Sequence, residues 1–255
     1  CRLVRPRKEN LAWTGKLLFI AGISGFLFLG IGTKEIVVTF PIMAIIYIWL
    51  ITPADERKSL KIKIGALLLP LLIYFCYRYI EQGNVFSLKA DPTSGETSRF
   101  LYFFSQVKVV VHYYLLKLFL PFNLNFEPDI RLLSGSIDGQ LVCAGGILGV
   151  CAIMVFRHKS PVLQFAALWF FIALLPTSSF IPLKQIATEH RTYLPGLGFS
   201  LLLGWLFLNT QPIRTLATGL LLAFLSFTFL LTVNRSLDYR SAIVLWQDTA
   251  EKSPN

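Results

Sequence analysis

The sequence predicts an all-α, polytopic membrane bundle of about seven spans with one interfacial helix. Hydrophobic residues make up 55% of its 255 residues and its mean hydropathy is +0.62, which is too apolar for a soluble domain whose surface faces water. Several apolar runs reach or approach the roughly 20 residues that a helix needs to cross a bilayer. Between these runs lie the basic residues, as in multi-span proteins.

Charge and cysteine content exclude other classes of protein. The formal net charge is +10, but the basic residues are spread between apolar runs instead of forming one basic face. Nucleic-acid binding is therefore not expected. The four cysteines show no CxxC spacing and no histidine at metal-ligand spacing, and we interpret three of them as small core residues of apolar runs: Cys76, Cys143 and Cys151.

Residues 1–80 predict a first domain of three spans with cytoplasmic basic loops. Two apolar runs, 17–32 and 36–51, are separated only by Thr33-Lys34-Glu35, which predicts a tight helical hairpin. The following loop is basic and is assigned to the cytoplasm by the positive-inside rule. A third span over 64–80 then returns the chain to the outer side, where its tyrosines mark an aromatic belt.

The remaining chain predicts three further parts. Residues 81–138 form an outer-side loop with a helix over 100–120, in which Ser105, Lys108 and His112 share one stripe. This helix either lies along the interface or crosses, and the positive-inside rule favours the interface. Residues 139–233 hold four spans, near 139–156, 162–181, 194–208 and 214–233. Residues 234–255 are amphipathic and resemble the lead-in to a helical repeat array.

This topology places two polar clusters on the same outer face, where they could build one site. The first is Lys34 with Glu35, which either cap helix ends or bind and orient a phosphate. The second lies in residues 182–193, where Lys184, His190 and Arg191 either clamp an anionic headgroup or reach the interface as ordinary basic side chains.

Three acidic residues of the outer side have simpler interpretations. Glu189 lies near Arg191 in the sequence and is expected to form a structural ion pair with it. Glu127 and Asp129 flank Pro128, which predicts a solvated turn. The sequence contains no Ser/His/Asp arrangement, phosphate-cradling glycine loop or HExxH motif that would identify a catalytic group.

Several motifs together resemble one known family. The first is a Lys-Glu pair followed by a proline in the next span, at Lys34, Glu35 and Pro41. A second, outer-side motif comprises Asp91-Pro92, then Phe119, Leu120, Pro121, Leu124 and Asp129. The most specific motif comprises Pro176, Thr177, Ser178, Glu189, Arg191, Tyr193, Leu194, Pro195 and Gly198-Phe199. Over nearly its whole length, the chain resembles the transmembrane-and-tetratricopeptide-repeat O-mannosyltransferases and their bacterial relatives, which have the C-type glycosyltransferase fold.

The resemblance implies transfer of a sugar from a polyprenyl-phosphate donor to a protein or glycan acceptor, on the outer or lumenal face of the membrane. It implies donor-phosphate contacts from Lys34, His190 and Arg191, oriented by Glu35 and Glu189. The family's acidic catalytic motif would lie upstream of residue 1, so we interpret the chain as a piece of a longer protein. No cofactor is assigned, and a divalent metal in the full-length protein stays open.

The resemblance also predicts a location and a set of partners. We expect a multi-pass protein of a bacterial inner membrane rather than of the endoplasmic reticulum, with its C-terminus periplasmic or lumenal. The partners would be the lipid-linked sugar, the acceptor or a protein bound to the repeats, and the bilayer. The alternative is a non-catalytic membrane anchor that presents a repeat scaffold. A transporter-like function is a third option, but no chain of intramembrane charges supports it.

Overall fold

In the computed structural model, the described residues are 8–53, 61–82, 99–133, 138–179, 182–183, 185–209 and 214–253. These residues form helices joined by turns, without a strand among them. The all-α prediction is therefore confirmed. The chain divides into two compact units, Cys1–Ser87 and Leu88–Asn255.

The described part of the first unit contains three α-helices and a short 3₁₀ helix. Their bounds are α1 Lys8–Thr33, the 3₁₀ helix Glu35–Val38, α2 Thr39–Ile51 and α3 Lys61–Gln82. The break between α1 and the 3₁₀ helix falls at Lys34, whose backbone is extended (φ −152°). Its N–H donates to the carbonyl of Gly30 at 3.0 Å. The predicted hairpin turn is therefore a single extended residue between two helices.

The first described element of the second unit is one long helix that changes its winding. Helix α4, Arg99–Val109, runs into a π-helical turn, Val110–Leu115, and then into α5, Leu116–Phe119. The remaining elements are α6 Gly139–Arg157, α7 Pro161–Leu174, a 3₁₀ helix Glu189–Thr192, α8 Tyr193–Asn209, α9 Arg214–Asp238 and α10 Ala242–Lys252. Local sequence sets two of the starts, because Asp138 and Ser160 accept hydrogen bonds from the first turns of α6 and α7.

The helix predicted to be interfacial belongs to the core of its unit. Tyr102 and Gln106 of α4 are only 1% exposed. Along the π-helical turn, Tyr114 packs into a cluster with Phe170 of α7 and Ala187. Its position relative to a membrane stays a prediction.

Three helices of the described chain are long and apolar enough to cross a membrane: Gly139–Arg157, Glu189–Asn209 and Thr215–Asp238. Four shorter apolar helices accompany them. In the third helix only 6% of the most apolar 18-residue window is buried within the protein, so its leucines and phenylalanines face outward. An apolar surface of this size is unfavourable in water, which supports membrane association.

In the second unit, two predicted spans differ clearly in length from the helices observed. Helix α7 ends at Leu174 instead of continuing towards 181, because Pro176 has no N–H to extend the helix. Helix α9 continues to Asp238 instead of ending at 233. Its last turn therefore carries Arg235 and Asp238 out of the apolar segment.

Helices α7 and α8 pack closely at Gly198. A Cβ atom added to Gly198 would lie 2.5 Å from the carbonyl oxygen of Ala166 and 2.9 Å from the nitrogen of Phe170. Trp169 adds a hydrogen bond from its indole N–H to the carbonyl of Leu194 at 2.9 Å. Only glycine permits this approach of two backbones.

We expect Gly198→Ala to lower the stability of the protein by about 1–3 kcal/mol, because the methyl group meets backbone atoms that cannot move aside. The measurement is thermal unfolding in detergent micelles. Gly204→Ala is the matched control in the same helix, since no atom lies within 4 Å of its added Cβ. Equal melting temperatures for the two variants would contradict this account of the α7–α8 contact.

Candidate functional site

Three stretches that are distant in sequence meet at one end of the second unit. They are residues 113–129, from the π-helical turn onward, residues 185–193, up to the start of α8, and residues 228–253, from the last turns of α9 through α10. Between parts of these stretches lies a cavity of about 500 Å³, which we call the Glu189 cavity. Its hydroxyl-bearing side chains are Tyr113, Thr192, Tyr193, Thr228, Thr232, Ser236 and Tyr239.

Arg235 connects these stretches through three carboxylates, and we call this group the Arg235 cluster. Its guanidinium donates to Glu189 Oε1 at 3.0 and 3.2 Å, to Asp238 Oδ2 at 2.8 Å and to Asp248 Oδ2 at 2.7 Å. The side chains of Arg235 and Glu189 are only 10% and 11% exposed. The planar, multiply donating guanidinium suits this arrangement in a way that a lysine could not.

Tyr239, the residue directly after α9, completes the cluster. Its hydroxyl donates to Glu189 Oε1, and Arg235 lies 5.4 Å from the centre of its ring. Burial raises the pKa of Tyr239, and the bond to the charged carboxylate raises it further, so the phenol stays protonated. Oxygen Oε2 of Glu189 is buried and has no hydrogen-bond partner among the described residues.

The pairing of Glu189 differs from the sequence prediction, which expected an ion pair with Arg191. Residues two apart on a 3₁₀ helix of three residues per turn do not face each other. Arg191 instead donates to the carbonyls of Ile186 at 3.1 Å and Gln185 at 2.9 Å. It therefore holds the backbone of the loop before α8, and Glu189 receives its cation from α9.

The other predicted cations are placed differently from one another. The ring of His190 lines the Glu189 cavity and lies 5.9 Å from the ring of Phe126. Lys184 lies outside the described residues. Lys34 is exposed at the turn of the first unit, where Glu35 begins the 3₁₀ helix. A site shared by Lys34, Glu35 and residues 182–193 stays a prediction.

Glu127 and Asp129 lie in the segment that receives α10. Glu127 Oε2 accepts a hydrogen bond from Gln185 at 3.1 Å, so it is more than part of a solvated turn. Ser253 Oγ accepts from the N–H of Asp129 at 2.9 Å and from Asn125 Nδ2 at 2.7 Å. Together with Lys252, which donates to the carbonyl of Leu124 at 2.8 Å, these bonds fix the end of α10 to the segment.

Lys117 is a cavity residue to which the sequence analysis gave no role. It donates to the carbonyls of Phe122 and Asn123 and lines the Glu189 cavity. Within the described chain it forms no ion pair with a carboxylate. Burial lowers the pKa of Lys117, and the charge of Lys252 lowers it further. Its sequence neighbours are apolar, so no local pattern indicated this environment.

No protein-family model matches the sequence, and comparisons with curated proteins and with solved structures likewise give no match.

We expect Arg235→Ala to destabilise the second unit by about 3 kcal/mol or more, because it leaves buried Glu189 and its carboxylate partners without their cation. Limited proteolysis should then cleave between α9 and α10, at residues 239–241, well before it cleaves the parent protein. Arg240→Ala removes an exposed neighbouring arginine and serves as the control. If both variants resist the protease like the parent, the cluster does not hold α10 in place.

The docking of α10 should depend on pH through Asp248. Burial acts to raise its pKa, but hydrogen bonds from Lys252 and Arg235 outweigh burial and lower the pKa below the ordinary value of 3.8. A lowered native pKa stabilises the fold above the ordinary value, and this contribution is lost as the pH falls through the native pKa. The protection of backbone amides in Ala242–Lys252, measured by hydrogen exchange relative to an unprotected amide at the same pH, should thus stay high until the pH drops below about 3.8. In Asp248→Asn this protection should be lower already at neutral pH. A variant as protected as the parent would contradict this role.

Proposed function

We propose that the chain is part of a membrane glycosyltransferase that moves a sugar from a polyprenyl-phosphate donor to a protein or glycan acceptor on the outer face of the membrane. The observation that carries this proposal is the Glu189 cavity, in which the half-buried Lys117 forms no ion pair with a carboxylate among the described residues.

The shape and lining of the cavity suit the head of a lipid. Leu118, Pro121 and Leu124 provide an apolar wall, against which a prenyl chain would lose its contact with water. Hydroxyl groups and cations line the same cavity, as in small-molecule sites where a few polar groups orient a ligand in an apolar pocket. The cavity adjoins the start of α8 and the end of α9, where two helices long enough to span would leave a membrane.

Lys117 is the cation best suited to contact a phosphate. An ammonium group has three N–H bonds, and two of them reach backbone carbonyls, which leaves one for a ligand. Partial burial disfavours the charged form of Lys117. An anion bound beside the ammonium group would offset this cost by Coulomb attraction. Arg235 is less available, because three carboxylates already occupy its guanidinium.

His190 and Arg191 keep different parts in this proposal. His190 lines the cavity and is proposed to contact the donor phosphate. Arg191 is proposed to contact the phosphate as well, in addition to the hydrogen bonds that its guanidinium donates to the carbonyls of residues 185 and 186. Lys34, oriented by Glu35, is proposed as a further phosphate contact. Glu189 orients the site through Arg235 and Tyr239.

Sugar transfer from a polyprenyl-phosphate donor requires a nucleophile on the acceptor and stabilisation of the phosphate that leaves. Cations aimed at the phosphate oxygens would stabilise the charge that develops on them. The nucleophile belongs to the acceptor, and the catalytic base is expected outside this chain. Within the described residues no three His, Cys, Asp or Glu side chains are grouped to hold a metal ion. No step of the proposal uses a metal.

The proposal includes the finer architecture predicted above. It takes the chain as a C-type glycosyltransferase-like bundle of about seven spans, with the interfacial helix near 100–120 and a tetratricopeptide-repeat lead-in at the end. Its location would be a bacterial inner membrane, with the C-terminus on the periplasmic or lumenal side.

The alternative function is a membrane anchor for a repeat scaffold. Its supporting observation is the docking of α10, which Arg235, Ser253 and Lys252 attach to the rest of the second unit. A repeat array that continued from α10 would have a fixed orientation relative to the second unit. This alternative assigns no ligand to the Glu189 cavity.

We expect Lys117→Gln to weaken binding of polyprenyl phosphate at least tenfold, equivalent to about 1.4 kcal/mol. The reason is that the cavity loses a lysine that forms no ion pair with a carboxylate among the described residues. The measurement is photolabelling of the protein, in phosphatidylcholine vesicles, by a photoreactive polyprenyl phosphate. Lys159→Gln, a change of an exposed lysine in the turn between α6 and α7, should label like the parent protein.

The same vesicles distinguish the two functions. Unlabelled polyprenyl phosphate should compete with the probe, whereas the neutral polyprenol should compete much less. Equal competition by both lipids, or unchanged labelling of Lys117→Gln, would rule out an anion site at Lys117. The anchor alternative would then be favoured.

A further inference from the structure

A second cavity of the same unit, about 380 Å³ in volume, lies along the polar stripe of α4 and the π-helical turn. Ser105, Lys108 and His112 line it from this helix, and Arg131 and Gln140 line it from the segments that follow. We call it the Lys108 cavity. It is separate from the proposed phosphate site, and its volume falls near the lower end of the roughly 300–1,000 Å³ typical of small-molecule sites.

Hydrogen bonds and an ion pair between elements hold the walls of this cavity in place. Ser105 Oγ accepts a hydrogen bond from the N–H of Leu133 at 3.0 Å, which fixes the segment beside α4. Lys108 reaches Asp138 Oδ2 at 2.5 Å, and Asp138 also caps α6. His112 Nε2 lies 3.2 Å from the carbonyl oxygen of Gln140. The cavity is thus bounded by three parts of the chain that are bonded to one another.

The charges around the cavity nearly balance. Lys108 is paired with Asp138, and Arg131 and Asp129 add one charge of each sign. Hydrogen bonding from Lys108 and from the N–H of Leu141 lowers the pKa of Asp138, so its carboxylate stays charged at neutral pH. A balanced site does not favour an anion.

The lining offers donors and acceptors in similar number beside apolar surface. Arg131 and Lys108 donate, Asp129 accepts, and the amide of Gln140 does both. Val109, Ile130 and Tyr113 supply the apolar part. Such a mixture matches a molecule whose hydroxyl groups both donate and accept around an apolar ring face, as those of a pyranose do.

We propose that the Lys108 cavity binds a neutral saccharide unit through Arg131, Asp129 and Gln140. This inference does not depend on the function of the Glu189 cavity, since it concerns binding alone. The two cavities share the side chain of Tyr113, whose hydroxyl donates to the carbonyl of Asn125 at 3.0 Å.

The test is saturation-transfer NMR on the whole protein in nanodiscs that lack glycolipid. The probes are the methyl pyranosides of glucose, mannose, galactose and N-acetylglucosamine, with inorganic phosphate as the competitor. We expect at least one pyranoside to bind with a dissociation constant on the order of millimolar, without displacement by phosphate. Binding of none of the four pyranosides, or displacement by equimolar phosphate, would overturn the proposal.

Variants then locate the binding. Arg131→Ala and Gln140→Ala remove exposed side chains of the cavity, and each should weaken pyranoside binding at least fivefold with unchanged thermal unfolding. Arg157→Ala, at the far end of α6, should bind like the parent. If both cavity variants bind like the parent, the saccharide lies elsewhere and the assignment is wrong. A failure here leaves the polyprenyl-phosphate measurement unaffected, so the two proposals fail separately.

Discussion

The contact between Arg235 and Glu189 is the constraint on which one end of the second unit depends. It joins α9 to the 3₁₀ helix before α8, and through Asp248 it reaches α10. Burying these charges is costly unless each has a partner. Arg235 meets three carboxylates, while Lys252 neutralises part of the excess at Asp248. The pairing stabilises one arrangement of three chain stretches, and the Glu189 cavity lies between parts of them.

The π-helical turn Val110–Leu115 is the second organising feature. Such turns are rare and shift the side chains that follow relative to a regular α-helix. Here the turn contains His112, Tyr113 and Tyr114, which go to three places: the Lys108 cavity, the wall between both cavities and the core. One irregular turn therefore allows a buried helix to supply side chains to two cavities and to a packed core.

Sequence patterns predicted the helices better than the site. Apolar runs bounded by polar residues located the breaks at Lys34 and near Ser160, because helix ends depend on local chemistry. Arg235 received no role, since its partner Glu189 is 46 residues away and no spacing rule connects them. Lys117 was likewise missed, because its environment consists of carbonyls supplied by the fold. Glu189 and His190, to which the sequence analysis assigned an orienting and a phosphate-binding role, both line the Glu189 cavity, and those roles stay predictions. The cation expected for Glu189 was wrong, because Arg235 rather than Arg191 pairs with it.

A line of hydrogen bonds runs from the cavities to the end of the described chain. Tyr113 bonds to the carbonyl of Asn125, and the amide of Asn125 bonds to Ser253 after α10. A ligand that moved Tyr113 in either cavity would change the geometry at Asn125 and Ser253. Because linkage between sites is reciprocal in free energy, a change at Ser253 would then alter the affinity for that ligand by the same factor.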